Sequence, residues 1–198
     1  MLSSFGGSMK KGFLMVVSGP SGVGKGTICD ILLRDNEDIK YSISATSRNK
    51  RPMEEHGKNY FFISSDEFEK MIEEEKLLEY AKVHGNYYGT PKDFVLNSID
   101  NGDVVILEID VQGALQVKKN YPDAVLVFVL PPDFEELKRR LVERGTEDEE
   151  TVNLRMNNAK KEVEFLNEYN YSIVNEYVDD SVEKMKAIIQ AERLKIKK

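Results

Sequence analysis

The sequence predicts an α/β fold built on a mainly parallel sheet. Apolar runs at 13–17 and 124–130 are short and unbroken, and 104–110 is apolar but for Glu108 and Asp110, as strands buried on both faces require. Segments of helical periodicity separate them, and that alternation is the mark of parallel strands joined by crossover helices. A glycine-rich turn from Gly19 to Thr27 stands between the first strand and the first helix.

Taken in order, residues 13–17 form the first strand, closed by Gly19-Pro20. A helix follows over 25–34, with Ile28, Ile31 and Leu32 at helical spacing. Residues 41–44 read as a second short strand. Ser64-Ser65-Asp66-Glu67 resembles a capping box, so a helix runs from there to about residue 75. Residues 87–89 are a strand or turn, and Pro91 opens a helix in its first turn. A strand over 104–110 leads to a helix over 112–119. The strand at 124–130 is closed by Pro131-Pro132. Phe134, Leu137 and Leu141 place a helix over 134–143, stopped at Gly145, and another covers 149–168. Residues 171–174 are the last strand and 181–194 the last helix. The segment 44–90 breaks the alternation and reads as an inserted lobe.

Composition narrows the class. At 198 residues the chain suits one medium domain and buries roughly 70% of its unfolded surface on folding. With 40% hydrophobic and 32% charged residues it is globular rather than disordered. The single cysteine, Cys29, excludes an intrachain disulfide and suits a reducing, cytoplasmic setting. No apolar run approaches the ~18 residues of a membrane span, so no membrane partner is expected. Residues 1–12 read as an N-terminal tail. The stretch 1–8 is too short and uncharged for a secretory signal, and Met9 offers an alternative start. The net charge of −7 argues against a nucleic-acid partner. The charge is uneven: 40–60 carries five basic residues against two acidic, and 138–161 seven against five. Two basic islands on an acidic protein suit small anions, although solvated faces have the same composition.

The motifs favour anions. In Gly19-Pro20-Ser21-Gly22-Val23-Gly24-Lys25-Gly26-Thr27, the glycines let backbone N–H groups turn toward oxyanions. The following helix adds its favourable N-terminal dipole, and Lys25 reaches the β- and γ-phosphates of a nucleotide. Gly26 occupies the slot where Ser or Thr commonly ligates magnesium. An ion held mainly by nucleotide oxygens and water is therefore expected. Arg48 and Arg51 lie three apart in the first island; guanidinium forks match phosphate geometry. Asp110 stands at the C-terminal end of a strand, where open α/β sheets bind ligands. On residues alone, Glu79 is equally an end-of-helix surface acid, and Asp110 a capping acid. Arg140 and Arg144 share a helix face, with Arg155 in the next helix; a surface pair of Glu136 with Arg140 explains that spacing as well. His56 and His84 have no metal-ligand or triad companion, and Cys29 reads as a packing residue.

Together these segments resemble guanylate kinase. The match comprises the loop at 19–27, the Ser44, Arg48, Arg51-Pro52 segment, Gly85-Asn86-Tyr87-Tyr88-Gly89 and Ile109-Asp110-Val111-Gln112-Gly113. Arg144-Gly145-Thr146-Glu147 and Ile173-Val174-Asn175 continue it. The resemblance implies a P-loop kinase with a parallel-sheet core (13–43, 91–132, 171–198), an inserted GMP-binding lobe (44–90) and a helical lid region (133–170). It implies that Arg48, Arg51, Tyr60 and Tyr88 bind the GMP phosphate. Ser44, Glu79, Thr90 and Asp110 would surround the guanine. Thr90 stands where the family is associated with Ser, and either hydroxyl serves. Arg140, Arg144 and Arg155 would close on the transferring phosphoryl group, and Asn175 would lie on the adenine side.

The chemistry agrees. A carboxylate such as Glu79 accepts from guanine N1–H and N2–H together, and a hydroxyl such as Thr90 donates to O6. The expected reaction is ATP + GMP giving ADP + GDP with Mg2+, dGMP being a further acceptor. Lys25, Arg48, Arg140, Arg144 and Arg155 would carry the catalysis, and no general base is needed. A kinase for another monophosphate and an inactive guanylate-kinase-like interaction module are the alternatives; retention of Gly24-Lys25 disfavours the second.

Overall fold

The computed structural model describes residues 11–143 and 148–196. Strand β1 (Phe13–Ser18) enters the phosphate loop, which opens into α1 (Lys25–Asp35). Then come β2 (Ile39–Tyr41), β3 (Ala45–Thr46), β4 (Phe61–Phe62), α2 (Ser65–Glu73), β5 (Leu77–Val83) and β6 (Asn86–Pro91). The chain continues through α3 (Lys92–Asp100), β7 (Val104–Glu108), α4 (Val111–Asn120) and β8 (Val125–Leu130). It ends with α5 (Phe134–Glu143), α6 (Glu149–Val163), a 3-10 turn (Leu166–Glu168), β9 (Tyr171–Val174) and α7 (Val178–Leu194).

The larger sheet has the order β2-β7-β1-β8-β9, all parallel. Its central strands are apolar without alternation because helices cover both faces. Met15, Val17, Ile106 and Val127 pack with Ile28, Leu32, Leu137 and Met185 on one side. Leu14, Val16, Val105 and Leu126 pack with Val95, Ala114 and Val117 on the other. Each of these side chains larger than Ala114 contributes about 1.5–3 kcal/mol on burial. The parallel register brings the C-terminal ends of β1, β7 and β8 together, and the phosphate loop and Asp110 both issue from that edge.

A second sheet, β4-β3-β6-β5, is drawn entirely from residues 45–91. It is mixed, with β6 antiparallel to both β3 and β5. Its small core holds Ala45, Phe68 and Leu77, and Phe68 stacks on Tyr87 at a ring separation of 5.0 Å. Ser64 caps α2 as expected: its hydroxyl accepts from Glu67 N while Glu67 reaches back to Ser64 N.

Several boundaries differ from the sequence expectation. The second strand lies at Ile39–Tyr41, and β3 begins only at Ala45. β4 and β5 were not expected at all; β4 pairs with β3 across the intervening residues 47–60, and β5 forms a hairpin with β6. Pro91 ends β6 and stands as the N-cap of α3 rather than inside its first turn. The strand read over 104–110 stops at Glu108, because Asp110 turns out to cap α4. The helix read over 149–168 ends at Val163, where the 3-10 turn takes over. The last helix starts three residues early, at Val178. Among the described residues, no helix is long and apolar enough to cross a membrane.

Candidate active site

The phosphate loop is held by tight backbone approaches. Gly19 has φ 135°, and a Cβ there would fall 2.2 Å from Val129 O, so no side chain fits. Gly24 has φ 100°, and a Cβ would fall 2.5 Å from Asn175 Nδ2. Lys25 Nζ turns back into the loop, donating to Gly19 O at 2.5 Å and Pro20 O at 3.1 Å. Burial lowers the Lys25 pKa, and the nearby carboxylates of Glu108 and Glu162 oppose that shift. The ammonium is thus stored inside the ring of backbone groups expected to face the phosphates. Gly26 has Glu108 beside it: a Cβ on Gly26 would lie 3.7 Å from Glu108 Oε2.

Asn175 and two of the expected arginines converge on this loop. Asn175 is almost fully buried, donates from Nδ2 to Val23 O at 2.8 Å and accepts from Ser181 Oγ at 2.8 Å. Its amide therefore braces the loop in addition to bordering a cavity of about 350 Å³ lined by Gly22, Gly24, Arg140 and Val178. Arg140 donates to Asn175 O at 3.1 Å and Val23 O at 3.4 Å. It also pairs with Glu136 at 2.7 Å, so the surface-pair reading and the loop-directed reading are realised together. Arg155 Nη1 donates to the hydroxyl of Ser21, bringing α6 onto the loop. Arg144 lies outside the described residues.

The second group of expected residues gathers on the smaller sheet and at α4. Glu79 lies in β5, not at a helix end, and is only 7% exposed. That burial raises its pKa, and the Thr90 hydroxyl, donating to Oε1 at 2.6 Å, pulls it partly back. In this state the one Thr90 hydroxyl hydrogen is engaged by Glu79. Asp110 Oδ1 accepts from Gly113 N at 2.8 Å as the N-cap of α4. Glu79 Oε2 lies 3.5 Å from where a Gly113 Cβ would sit, so Glu79 and Asp110 flank one glycine. Ser44 is half-buried, and its carbonyl accepts from Phe61 N.

Arg48 emerges just after β3, with its guanidinium carbon 5.6 Å from the Tyr60 ring centre and 5.7 Å from that of Phe62. The Tyr60 and Tyr88 rings meet edge to face at 6.0 Å. Arg51 is exposed, and its backbone N–H donates to Glu54. Arg48, Tyr60 and Tyr88 therefore form one cluster, with Arg51 on the adjoining turn.

Sequence reasoning missed three acids. Glu108 is the last residue of β7, and placing the strand's end at residue 110 concealed its position beside the loop. Glu162 is a partly buried acid on α6 facing Lys25; helical periodicity alone does not distinguish it. Glu54 holds Arg48, and the nearness of one acid to two arginines was the available signal.

This arrangement separates two candidate anion sites: a glycine-rich cradle with an internal lysine, and an arginine–tyrosine cluster on the second sheet. The chain as a whole is similar to known proteins. The family model described as guanylate kinase matches residues 11–192. The guanylate kinase of Clostridium tetani is 53% identical over 188 residues, which cover 95% of this chain and 90% of that protein. That of Caldanaerobacter subterraneus subsp. tengcongensis is 52% identical, covering 94% and 91%. The crystal structure of guanylate kinase from Anaplasma phagocytophilum superimposes with a TM-score of 0.71 at 32% identity, over 94% of this chain and 88% of that one. From its phosphate loop to its last helix, the chain belongs to the guanylate kinase family.

Proposed function

We propose that this chain is an ATP:GMP phosphotransferase, moving the γ-phosphoryl group of ATP to GMP and releasing ADP and GDP. The observation that carries the reading is the buried Glu79–Thr90 pair beside Asp110 and Gly113. An ionised carboxylate held in a shielded slot accepts from the N1–H and N2–H of guanine, which adenine and the pyrimidines do not present together. dGMP is a further acceptor in this reading. The functional division is a core (13–43, 91–132, 171–198), a GMP lobe (44–90) and a lid region (133–170).

The GMP phosphate already carries anionic oxygen, so no base has to remove a proton before attack. Catalysis is alignment and charge neutralisation. The loop from Gly19 to Thr27 binds the ATP phosphates through its N–H groups, and Lys25 leaves the Gly19 and Pro20 carbonyls for the β- and γ-oxygens. Arg48, Arg51, Tyr60 and Tyr88 hold the acceptor phosphate, with Ser44 beside the guanine. Arg140 and Arg155, already on the loop, move onto the transferring group, and Arg144 joins them. Closure excludes water, which would otherwise consume ATP.

Mg2+ is the metal of this reading. Among the described residues no set of three acidic, His or Cys side chains is grouped to cage an ion. The single carboxylate of Glu108 against Gly26 fits an ion held by nucleotide oxygens and water, with Glu108 holding its waters. When bound, Mg2+ neutralises charge on the β- and γ-oxygens. A cytoplasmic setting is supported by Cys29, which is buried and free.

A coupled ADP-release assay across GMP, dGMP, AMP, CMP and UMP tests the proposal. Turnover is expected with GMP above all the others except dGMP; equal turnover with AMP refutes it.

A further inference from the structure

Arg48 is held by an acid that the reaction itself does not require. Its Nη1 donates to Glu54 Oε2 at 3.1 Å and its Nη2 to Glu54 Oε1 at 2.8 Å, a two-armed pair across the end of the guanidinium. Nη1 also donates to Asn49 O at 2.7 Å. Both hydrogens of Nη1 and one of Nη2 are therefore engaged. These three bonds leave the Nε–Nη2 edge, two parallel N–H groups, and Tyr88 also hydrogen-bonds to this residue. That edge has the fork geometry that accepts two phosphate oxygens. Glu54 Oε2 also accepts from Arg51 N at 2.8 Å, so one carboxylate ties both arginines of the segment into a single turn. The pair is mostly shielded, with side chains 16% and 17% exposed, so solvent does not readily exchange for it.

We propose that Glu54 is a positioning residue for the acceptor phosphate: it occupies the end of the Arg48 guanidinium and presents the Nε–Nη2 edge to GMP. The proposal rests on the ATP:GMP reading above. An acid this close to an incoming dianion is repulsive by charge alone, so the two effects oppose each other and can be told apart. If Glu54 only competed with phosphate for Arg48, neutralising it would tighten GMP binding. If it aims Arg48, neutralising it loosens GMP, because an amide accepts through one oxygen and turns its own N–H groups against the other arm. Glu54 is ionised well below neutral pH, chiefly through the Arg48 bond and then the Arg51 N–H, so the charged pair is the working state.

The test compares wild type, E54Q, R48K and R48K/E54Q. GMP affinity is read by calorimetry without ATP, KM and kcat by coupled assay, and folding by thermal melting. E54Q is expected to raise the GMP Kd and KM about tenfold, the weight of one charge-assisted hydrogen bond, with the ATP KM unchanged. In the R48K background, E54Q is expected to cost less than about twofold, because the fork it aims is gone. Equal or tighter GMP binding by folded E54Q overturns the proposal, as does a full tenfold loss in the R48K background. Wild type that binds GMP without phosphorylating it overturns the kinase reading while leaving the positioning result readable from the Kd values.

Discussion

Replacing Thr90 by Val removes one hydroxyl while nearly conserving volume, and the consequence follows from a single contact. Thr90 Oγ1 donates to Glu79 Oε1 at 2.6 Å in a fully buried position. That length belongs to strong bonds between a hydroxyl and a carboxylate, and bonds to charged groups contribute about 1.5–3 kcal/mol. The loss falls on the ionised form of Glu79, the form proposed to accept guanine N1–H and N2–H. Without the hydroxyl, burial acts on Glu79 with less opposition, so its pKa, already raised, rises further. A protonated Glu79 accepts poorly, so activity is lost on the acid side. The variant's acid limb is therefore displaced to higher pH. At 1.4 kcal/mol per decade, kcat/KM for GMP at neutral pH should fall about 10- to 100-fold. The ATP KM should be unchanged, because Thr90 lies in the second sheet. The assay is the pH profile of kcat/KM for GMP and for IMP, wild type against T90V. An unshifted acid limb with kcat/KM intact would show that the Glu79–Thr90 pair does not read the acceptor.

Three further outcomes are expected. K25A, replacing a lysine stored against Gly19 and Pro20, should lower kcat by roughly 10³-fold in a protein with an unchanged circular dichroism spectrum; near-normal turnover would remove Lys25 from the mechanism. N175A leaves Ser181 Oγ without its acceptor and weakens the hold on Val23, so stability should drop by about 2 kcal/mol in urea unfolding; an unmoved midpoint would mean the brace carries no stability. Acceptor efficiency should run GMP above IMP above AMP, with AMP lower than GMP by up to about 10⁴-fold; a competitive AMP rate would dismantle the guanine pocket.

The parts of this protein readable in order along the chain are those whose physics is local. The runs at β1, β7 and β8 are apolar except for the terminal Ser18 and Glu108 because helices cover both faces, and so short a run suits a buried strand. The phosphate loop is equally local: its glycines, with Lys25 four residues past Ser21, need no distant partner to be recognised. The capping box at Ser64 and Glu67 is written within four residues. The second sheet was less legible. β4 has two residues, and β5 buries only Leu77, Leu78 and Glu79 before turning exposed, so neither shows an alternating pattern. Their existence depends on pairing with β3 and β6, and that moved Glu79 from a helix end into a strand. Asp110 changed from strand residue to helix cap because its carboxylate found Gly113 N. Only folding brought Arg155 onto Ser21, 134 residues away, and Asn175 onto Val23, 152 residues away. Residue type establishes which groups can bind a nucleotide; hydrogen bonds across such separations decide which of them meet, because they form only once the core has brought both ends together.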